Sequence, residues 1–467
     1  MSIRRINGWW LRPIVAALVG LMFTPVIVLA HSKLKRSEPS ANQRLAVPPV
    51  MLRLWFSEAP GLAMTTITLT DSAGQVMGTE AIERDETDKL AVRVRVVQAL
   101  KSGRYTVSWR TAATDGHPTS GSFSFTVLAS AAQTESAGVS SSSGAVKVEK
   151  AGDTRSSMVV HRETDSPLGM ADIGVRVIRF VCLFVVIGTV VFQFAVLRRA
   201  LPGVGVAGVI ARRVATVGAF ASLLLSLVAI ARLILQAQIF NANRGTISLS
   251  LGQIVGTTRW GTGWLIEMSA AVVASLGFLV ARKTKQGWVI AAAMATVLSI
   301  TPALGGHAAA SARFTSLAII TDALHVFGAS GWLGSLFILV LVAIPSVMMA
   351  ATEDHWRQIA SLVNAFSPSA LLFAGLVVIT GAISAWLHLG SVRALWTSDY
   401  GRVLLLKVAV LSTVAGTGAY NWRRVRPSLG TEAATRRLQR SAAVELIAGA
   451  FVVCITAVLV AMEPPVQ

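Results

Sequence analysis

Hydrophobic positions follow two different periods along this chain, and the change of period divides it. Between residues 50 and 127, apolar and polar side chains alternate in short segments at 50–56, 65–70, 90–97, 104–110 and 121–127. Period-two alternation puts successive side chains on opposite faces of an extended strand. Turn sequences such as Asp71-Ser72-Ala73-Gly74 and Lys101-Ser102-Gly103 separate the segments. Regular short strands with turn signals predict a β-sandwich or barrel over residues 31–128. From residue 171 the alternation gives way to long apolar runs, at 172–197, 214–238, 263–282, 287–304, 316–345, 365–388, 401–420 and 441–461. Runs of about 18 or more apolar residues span a bilayer as helices. The second part, 171–461, is therefore expected to be an all-α polytopic membrane domain of about eight transmembrane helices.

Two stretches fit neither period. Residues 1–30 carry Arg4 and Arg5, then an apolar run, then Val28-Leu29-Ala30. That is the layout of a secretory signal peptide, and cleavage after Ala30 would leave His31 as the mature N-terminus. Residues 129–170 are rich in Ser, Ala, Gly and charge, including Ser140-Ser141-Ser142-Ser143, the composition of a flexible linker.

The formal charge of +19 would ordinarily raise nucleic acid as a partner. Its placement argues otherwise. With the sandwich outside, the inner loops hold fourteen basic residues and the outer loops five, the bias of a membrane protein whose basic loops stay in the cytoplasm. The bilayer, not nucleic acid, is the expected partner. The chain is expected in a bacterial inner membrane, with its N-terminal domain and C-terminus on the periplasmic or extracellular side. Cys182 and Cys454 each sit inside an apolar run, so no disulfide framework is expected in the sandwich.

Candidate chemistry in the sandwich centres on histidine. After cleavage His31 would present an α-amine and an imidazole, which together chelate Cu(II). Asp115-Gly116-His117 adds a carboxylate and a second imidazole two residues apart. Three nitrogens and an oxygen in a tetragonal array suit Cu(II). Asp115-Gly116-His117-Pro118 is also an ordinary turn sequence. The position of His31 at the cleavage point favours the ligand reading.

Several motifs here resemble the copper-resistance CopC domain. They are the segment from His31 to Pro39, Leu54-Trp55-Phe56-Ser57-Glu58, the run from Gly103 to Arg110, Thr114-Asp115-Gly116-His117-Pro118, and Gly121-Ser122-Phe123-Ser124-Phe125. The resemblance implies an immunoglobulin-like sandwich with Cu(II) on His31, Asp115 and His117, and an acid at or near the metal at Glu58. Some CopC domains also hold Cu(I) in a Met-rich loop. Here Met51, Met64 and Met77 are scattered, so Cu(II) alone is expected at the exposed site.

Polar groups inside a spanning segment are costly and mark function. His325 falls about ten residues into the fifth run, near mid-membrane at about 1.5 Å per residue. His388 closes the sixth run and His307 follows the fourth. With Met268 as a further soft donor, these residues form a candidate copper path. Thr257 to Glu267 and Thr397 to Lys407 echo each other ahead of two helices of equal direction. The echo suggests a duplicated helix pair and raises an ion pair between Glu267 and Lys407. Gly306-His307-Ala308-Ala309, the run from Asp322 through His325 to Gly334, Tyr400 to Lys407, and Asn421-Trp422-Arg423 resemble the copper-resistance CopD membrane domain. A CopC–CopD order in one chain implies copper uptake across the inner membrane.

The reading that follows is a copper-handling protein, not an enzyme. It binds Cu(II) outside the inner membrane and serves copper uptake, homeostasis or resistance through its membrane domain. Its partners are copper ions and the bilayer, with a periplasmic copper donor or a cytoplasmic copper chaperone as further candidates. No phosphate-binding Gly-x-x-x-x-Gly-Lys-Ser/Thr loop is present, which argues against ATP-driven pumping. A copper monooxygenase is disfavoured because Asp115 would fill the position oxygen needs. The alternatives are a periplasmic copper buffer without transport and a haem or copper membrane redox protein.

Overall fold

The computed structural model describes residues 34–57, 59–112, 118–129, 167–203, 205–241, 251–257, 259–304, 315–350, 353–462 and 465. The expected signal peptide, most of the expected linker, and His31, Glu58, Asp115, His117 and His307 lie outside the described residues. The chain forms two compact units.

The first unit is a two-sheet sandwich. Its strands are β1 (Leu34–Glu38), β2 (Arg44–Leu45), β3 (Met51–Phe56), β4 (Thr66–Thr70), β5 (Val76–Met77), β6 (Glu83–Arg84), β7 (Ala91–Arg95), β8 (Gly103–Ala112) and β9 (Pro118–Val127). One sheet runs β1-β3-β7-β6 and the other β2-β9-β8-β4-β5. Every pairing is antiparallel except β2 with β9. The five alternating segments read from the sequence became β3, β4, β7, β8 and β9. The two-residue edge strands β2, β5 and β6 carry too few residues to show a period, and β1 breaks alternation at a register shift between Leu34 and Arg36. Leu52, Leu54 and Phe56 of β3 face Val107, Trp109 and Phe125 across the core. Phe56 meets Trp109 edge to face at 5.1 Å, which ties the two sheets together. Trp109 pairs with Gly121 in the β8–β9 ladder. A Cβ on Gly121 would lie 2.7 Å from the Trp109 ring, so glycine there makes room for the indole. Met64 is buried and Met77 packs against the core, so both fill space.

The second unit is helical. Eight helices among the described residues are long and apolar enough to cross a membrane. They are α1 (Met170–Ala200), α2 (Gly205–Gln238), α3 (Trp260–Ala281), α4 (Lys285–Leu304), α5 (Thr315–Met349), α6 (His355–Leu389), α7 (Asp399–Val425) and α8 (Glu432–Ala461). The first helix starts at Pro167, inside the stretch expected as linker. Proline is well placed in a first helical turn because its missing N–H would be unpaired there anyway. The core lies where α1 meets α5. A Cβ on Gly334 would overlap the Phe184 carbonyl oxygen, and one on Gly188 would overlap Gly334. Such close crossings are built from small residues, because backbones can then approach without side chains between them. Leu371, Leu372, Val378 and Ile379 of α6 are exposed, as expected for side chains that face lipid rather than protein.

Candidate functional site

All eight helices contribute to one cavity of about 500 Å³. Its lining comes from the same end of each helix. Arg176 and Arg179 lie early in α1, Arg232 late in α2, Glu267 early in α3, Thr301 late in α4, Asp322 and His325 early in α5, His388 late in α6, and Lys407 early in α7. The basic clusters Arg198-Arg199, Arg212-Arg213, Arg282-Lys283 and Arg423-Arg424 lie at the opposite ends.

One wall is an ion-pair cluster. Arg179 donates from Nε to Glu267 Oε1 at 2.7 Å and from Nη2 to Oε2 at 2.5 Å. Arg232 Nη1 reaches the same carboxylate at 3.3 Å. Glu267 is 1% exposed, so two cations meet one buried anion. Arg232 stacks over Trp260 at 5.6 Å, and Trp264 Nε1 donates to the Ala229 carbonyl at 2.7 Å. The expected Glu267–Lys407 ion pair is therefore replaced. Both side chains reach the same cavity, as the echo between their segments suggested, but Glu267 is held by α1 and α2. Arg179 and Arg232 stand inside or near apolar runs as possible structural partners, but no motif in the sequence pairs them with Glu267. Their partner depends on how three helices rotate against each other.

The other wall carries the histidines. Thr380, Ser384 and His388 recur every four residues on α6 and share one face. Opposite them on α5 stand Asp322 and His325, three residues apart. Ser384 Oγ donates to Asp322 Oδ1 at 3.1 Å. His325 Nδ1 lies 3.0 Å from Thr380 Oγ1, and that hydroxyl gives its own proton to the Leu376 carbonyl at 2.6 Å. Thr380 can then only accept, so His325 carries its proton on Nδ1 and keeps the Nε2 lone pair free. His388 Nδ1 lies 2.6 Å from the Ser384 carbonyl. A carbonyl cannot donate, so His388 has the same tautomer and the same free Nε2. Fixing Nδ1–H in this way is how proteins orient imidazoles for metals. His388 also lies against Tyr400, with ring centres 6.3 Å apart. Gly381 leaves room for the His325 ring, since a Cβ there would stand 3.4 Å from its Cε1.

A smaller cavity of about 60 Å³ shares His325 and Lys407 with the large one. Phe184, Trp332 and Leu333 wall it. Among the described residues, no group of three His, Cys, Asp or Glu side chains is close enough to hold one metal ion. His325 and His388 thus share a cavity without forming a closed metal centre with Asp322. Met268 is partly buried on α3 and is not part of the cavity lining.

In the sandwich, the described flanks of the expected copper ligands converge. Leu34 pairs with Phe56, so the chain before β1 and the chain after β3 leave from one end. Thr65, just ahead of β4 in the other sheet, meets Thr111 through its Oγ1 at 2.8 Å. The β8–β9 ladder ends at Ala112 opposite Pro118. Leu34, Phe56, Ala112 and Pro118 are the strand ends that adjoin His31, Glu58, Asp115 and His117 in the sequence.

Eight apolar helices around a histidine-bearing polar cavity, joined to a β-sandwich, define a polytopic membrane protein with a separate sandwich domain. Comparison with known families gives the particulars. Residues 34–128 match the CopC domain. Residues 167–315 match the copper resistance protein D-like N-terminal domain, and residues 360–459 match copper resistance protein D. The chain belongs to the copper-resistance family in which a CopC domain is fused to a CopD membrane domain. It is 26% identical over 442 residues to the copper transport protein CutJ of Bacillus subtilis, across 90% of this chain and 72% of that protein. It is 32% identical over 117 residues to protein YobA of Escherichia coli K12, across 25% of this chain and 94% of that one. It is also 26% identical over 226 residues to copper resistance protein D of Pseudomonas syringae pv. tomato, covering 46% and 72% of the two chains. The ion-pair wall falls within the N-terminal D-like match and His388, Tyr400 and Lys407 within the D match. Asp322 and His325 lie between the two.

Proposed function

We propose that this protein binds Cu(II) outside the cytoplasmic membrane and delivers copper inward through its helical cavity. The exposed site uses His31, Asp115 and His117, with Glu58 beside the metal. The convergence of their flanking residues at one end of the sandwich supports this ligand set. In the membrane domain His325 and His388 receive the metal on Nε2, and Asp322 supplies a nearby carboxylate. The observation that carries the reading is the cavity itself, in which both imidazoles are locked with Nε2 free. Four basic clusters, Arg198-Arg199, Arg212-Arg213, Arg282-Lys283 and Arg423-Arg424, lie at the helix ends away from the cavity. By the rule that such loops stay in the cytoplasm, the cavity opens to the periplasmic or extracellular side, where the sandwich would capture the metal. The family membership favours transport or resistance over catalysis.

The deciding measurement is copper by elemental analysis in separated cytoplasm and envelope. Cells expressing the chain are compared with cells expressing His325→Ala, His388→Ala at equal protein level. Cytoplasmic copper rises with the parent chain and falls back to the control level in the variant. Copper that rises only in the envelope, equally for both, would reduce the protein to a periplasmic buffer.

A further inference from the structure

The cavity has the wrong charge for a bare copper ion. Arg176, Arg179, Arg232 and Lys407 line it against only two carboxylates, Glu267 and Asp322. Asp172 offsets Arg176 at 2.7 Å from outside the lining, which leaves one positive charge in excess before the histidines are counted. Like charges repel strongly where the dielectric is low, so the chamber disfavours a free or hydrated copper dication. Its size is also wrong. The volume of about 500 Å³ is more than twice the roughly 180 Å³ of six waters at about 30 Å³ each. It lies in the usual range for organic ligands.

The lining divides by chemistry as well. Cations and aromatics come together from α1 to α3, where Arg179 lies 5.8 Å from the Phe180 ring and Arg232 stacks on Trp260. Free imidazole nitrogens come from α5 and α6. No closed set of metal donors exists among the described residues, so copper on the two imidazoles keeps coordination positions open for donor atoms of another molecule.

We propose that the cavity takes copper as a complex with an anionic, carboxylate-bearing organic chelator. The carboxylates dock on the guanidinium groups of Arg232 and Arg179, a geometry that planar Arg favours. The body of the chelator packs on Trp260 and Trp264, and the metal faces Nε2 of His325 and His388. This names the substrate class of the transport reading above and rests on it.

The test uses the full chain in phosphatidylcholine nanodiscs, with His117→Ala to silence the sandwich site. Two tritiated chelators share one tridentate pyridine frame. Pyridine-2,6-dicarboxylate gives neutral or anionic copper complexes, and 2,6-bis(aminomethyl)pyridine gives cationic ones. The dicarboxylate complex binds saturably and about tenfold or more tighter than the diamine complex, and Arg232→Gln removes most of that preference. Should Arg232→Gln fail to fold, the preference of the parent chain decides alone. Equal binding of the two complexes, or no saturable binding, overturns the proposal. Displacement of the dicarboxylate by phosphatidylglycerol in the nanodisc also overturns it, because the cations would then seat a lipid phosphate. The transport reading fails separately. If copper accumulation depends on His325 and His388 while the two chelates bind alike, only the chelate proposal is lost. If accumulation never depends on those histidines, the transport reading is lost whatever the nanodiscs show.

Discussion

Glu267 is held by two arginines from two other helices, and its energetics are lopsided. A buried ion pair gains little over a well-packed apolar pair, yet removal of one partner leaves a stranded charge. Glu267→Met leaves both guanidinium groups without their shared anion and should therefore destabilise the helical unit by about 3–5 kcal/mol. Glu267→Met combined with Arg179→Met removes one of the two stranded cations and should recover part of that loss, as read by thermal unfolding in detergent. Thr380 offers a quieter test. Thr380→Val keeps the shape but frees His325 Nδ1, so copper delivery should fall about 10- to 100-fold with the fold intact. In the sandwich, Asp85 accepts from the hydroxyl and amide of Thr87 at 2.6 and 3.0 Å. These bonds, with Arg53 at 3.5 Å, outweigh its burial and hold its carboxyl below the usual range. A lowered folded pKa means the folded state binds fewer protons there. The stability it contributes is present above about pH 4 and lost as pH falls through the lowered value. Hydrogen exchange of β7 in the full chain should be faster in Asp85→Asn at neutral pH, and the difference should close in acid.

At the scale of elements, glycines and polar residues divide the labour of α5. In the stretch from Asp322 to Gly334, the acid and the histidine face the cavity. Gly328 lies against Leu376 and Val377, Gly331 against the Phe373 ring, and Gly334 against Phe184. A motif that reads as one signature in the sequence is thus a site followed by a packing stripe. Gly334→Val drives a side chain into the α1 backbone and should cost more than about 3 kcal/mol, seen as loss of folded protein on gel filtration. The strands show where periodicity works. β3, β4, β7, β8 and β9 were legible because five or more residues alternate. The two-residue strands β2, β5 and β6 exist only through their neighbours' hydrogen bonds, which no local pattern announces.

Across the molecule, the proposed function assigns capture and delivery to separate units. Imidazole and amine must be deprotonated to bind copper. Cu(II) affinity of the full chain should weaken at least about tenfold between neutral pH and about pH 5. His117→Ala should weaken it at neutral pH, both followed by the copper electron paramagnetic signal. The sequence alone determined the two-part organisation, the eight helices long and apolar enough to cross a membrane and the family, because hydrophobic period, run length and motif order are properties of the chain itself. It also singled out His325 and His388 as costly polar groups in apolar runs. Tertiary structure alone decided that Glu267 pairs with Arg179 and Arg232 rather than Lys407. It alone placed Asp322, Thr380 and Ser384 around the histidines and gathered the arginines and the imidazoles around one cavity. Partner choice among buried charges depends on helix rotation and depth, which are set by packing between segments far apart in the chain.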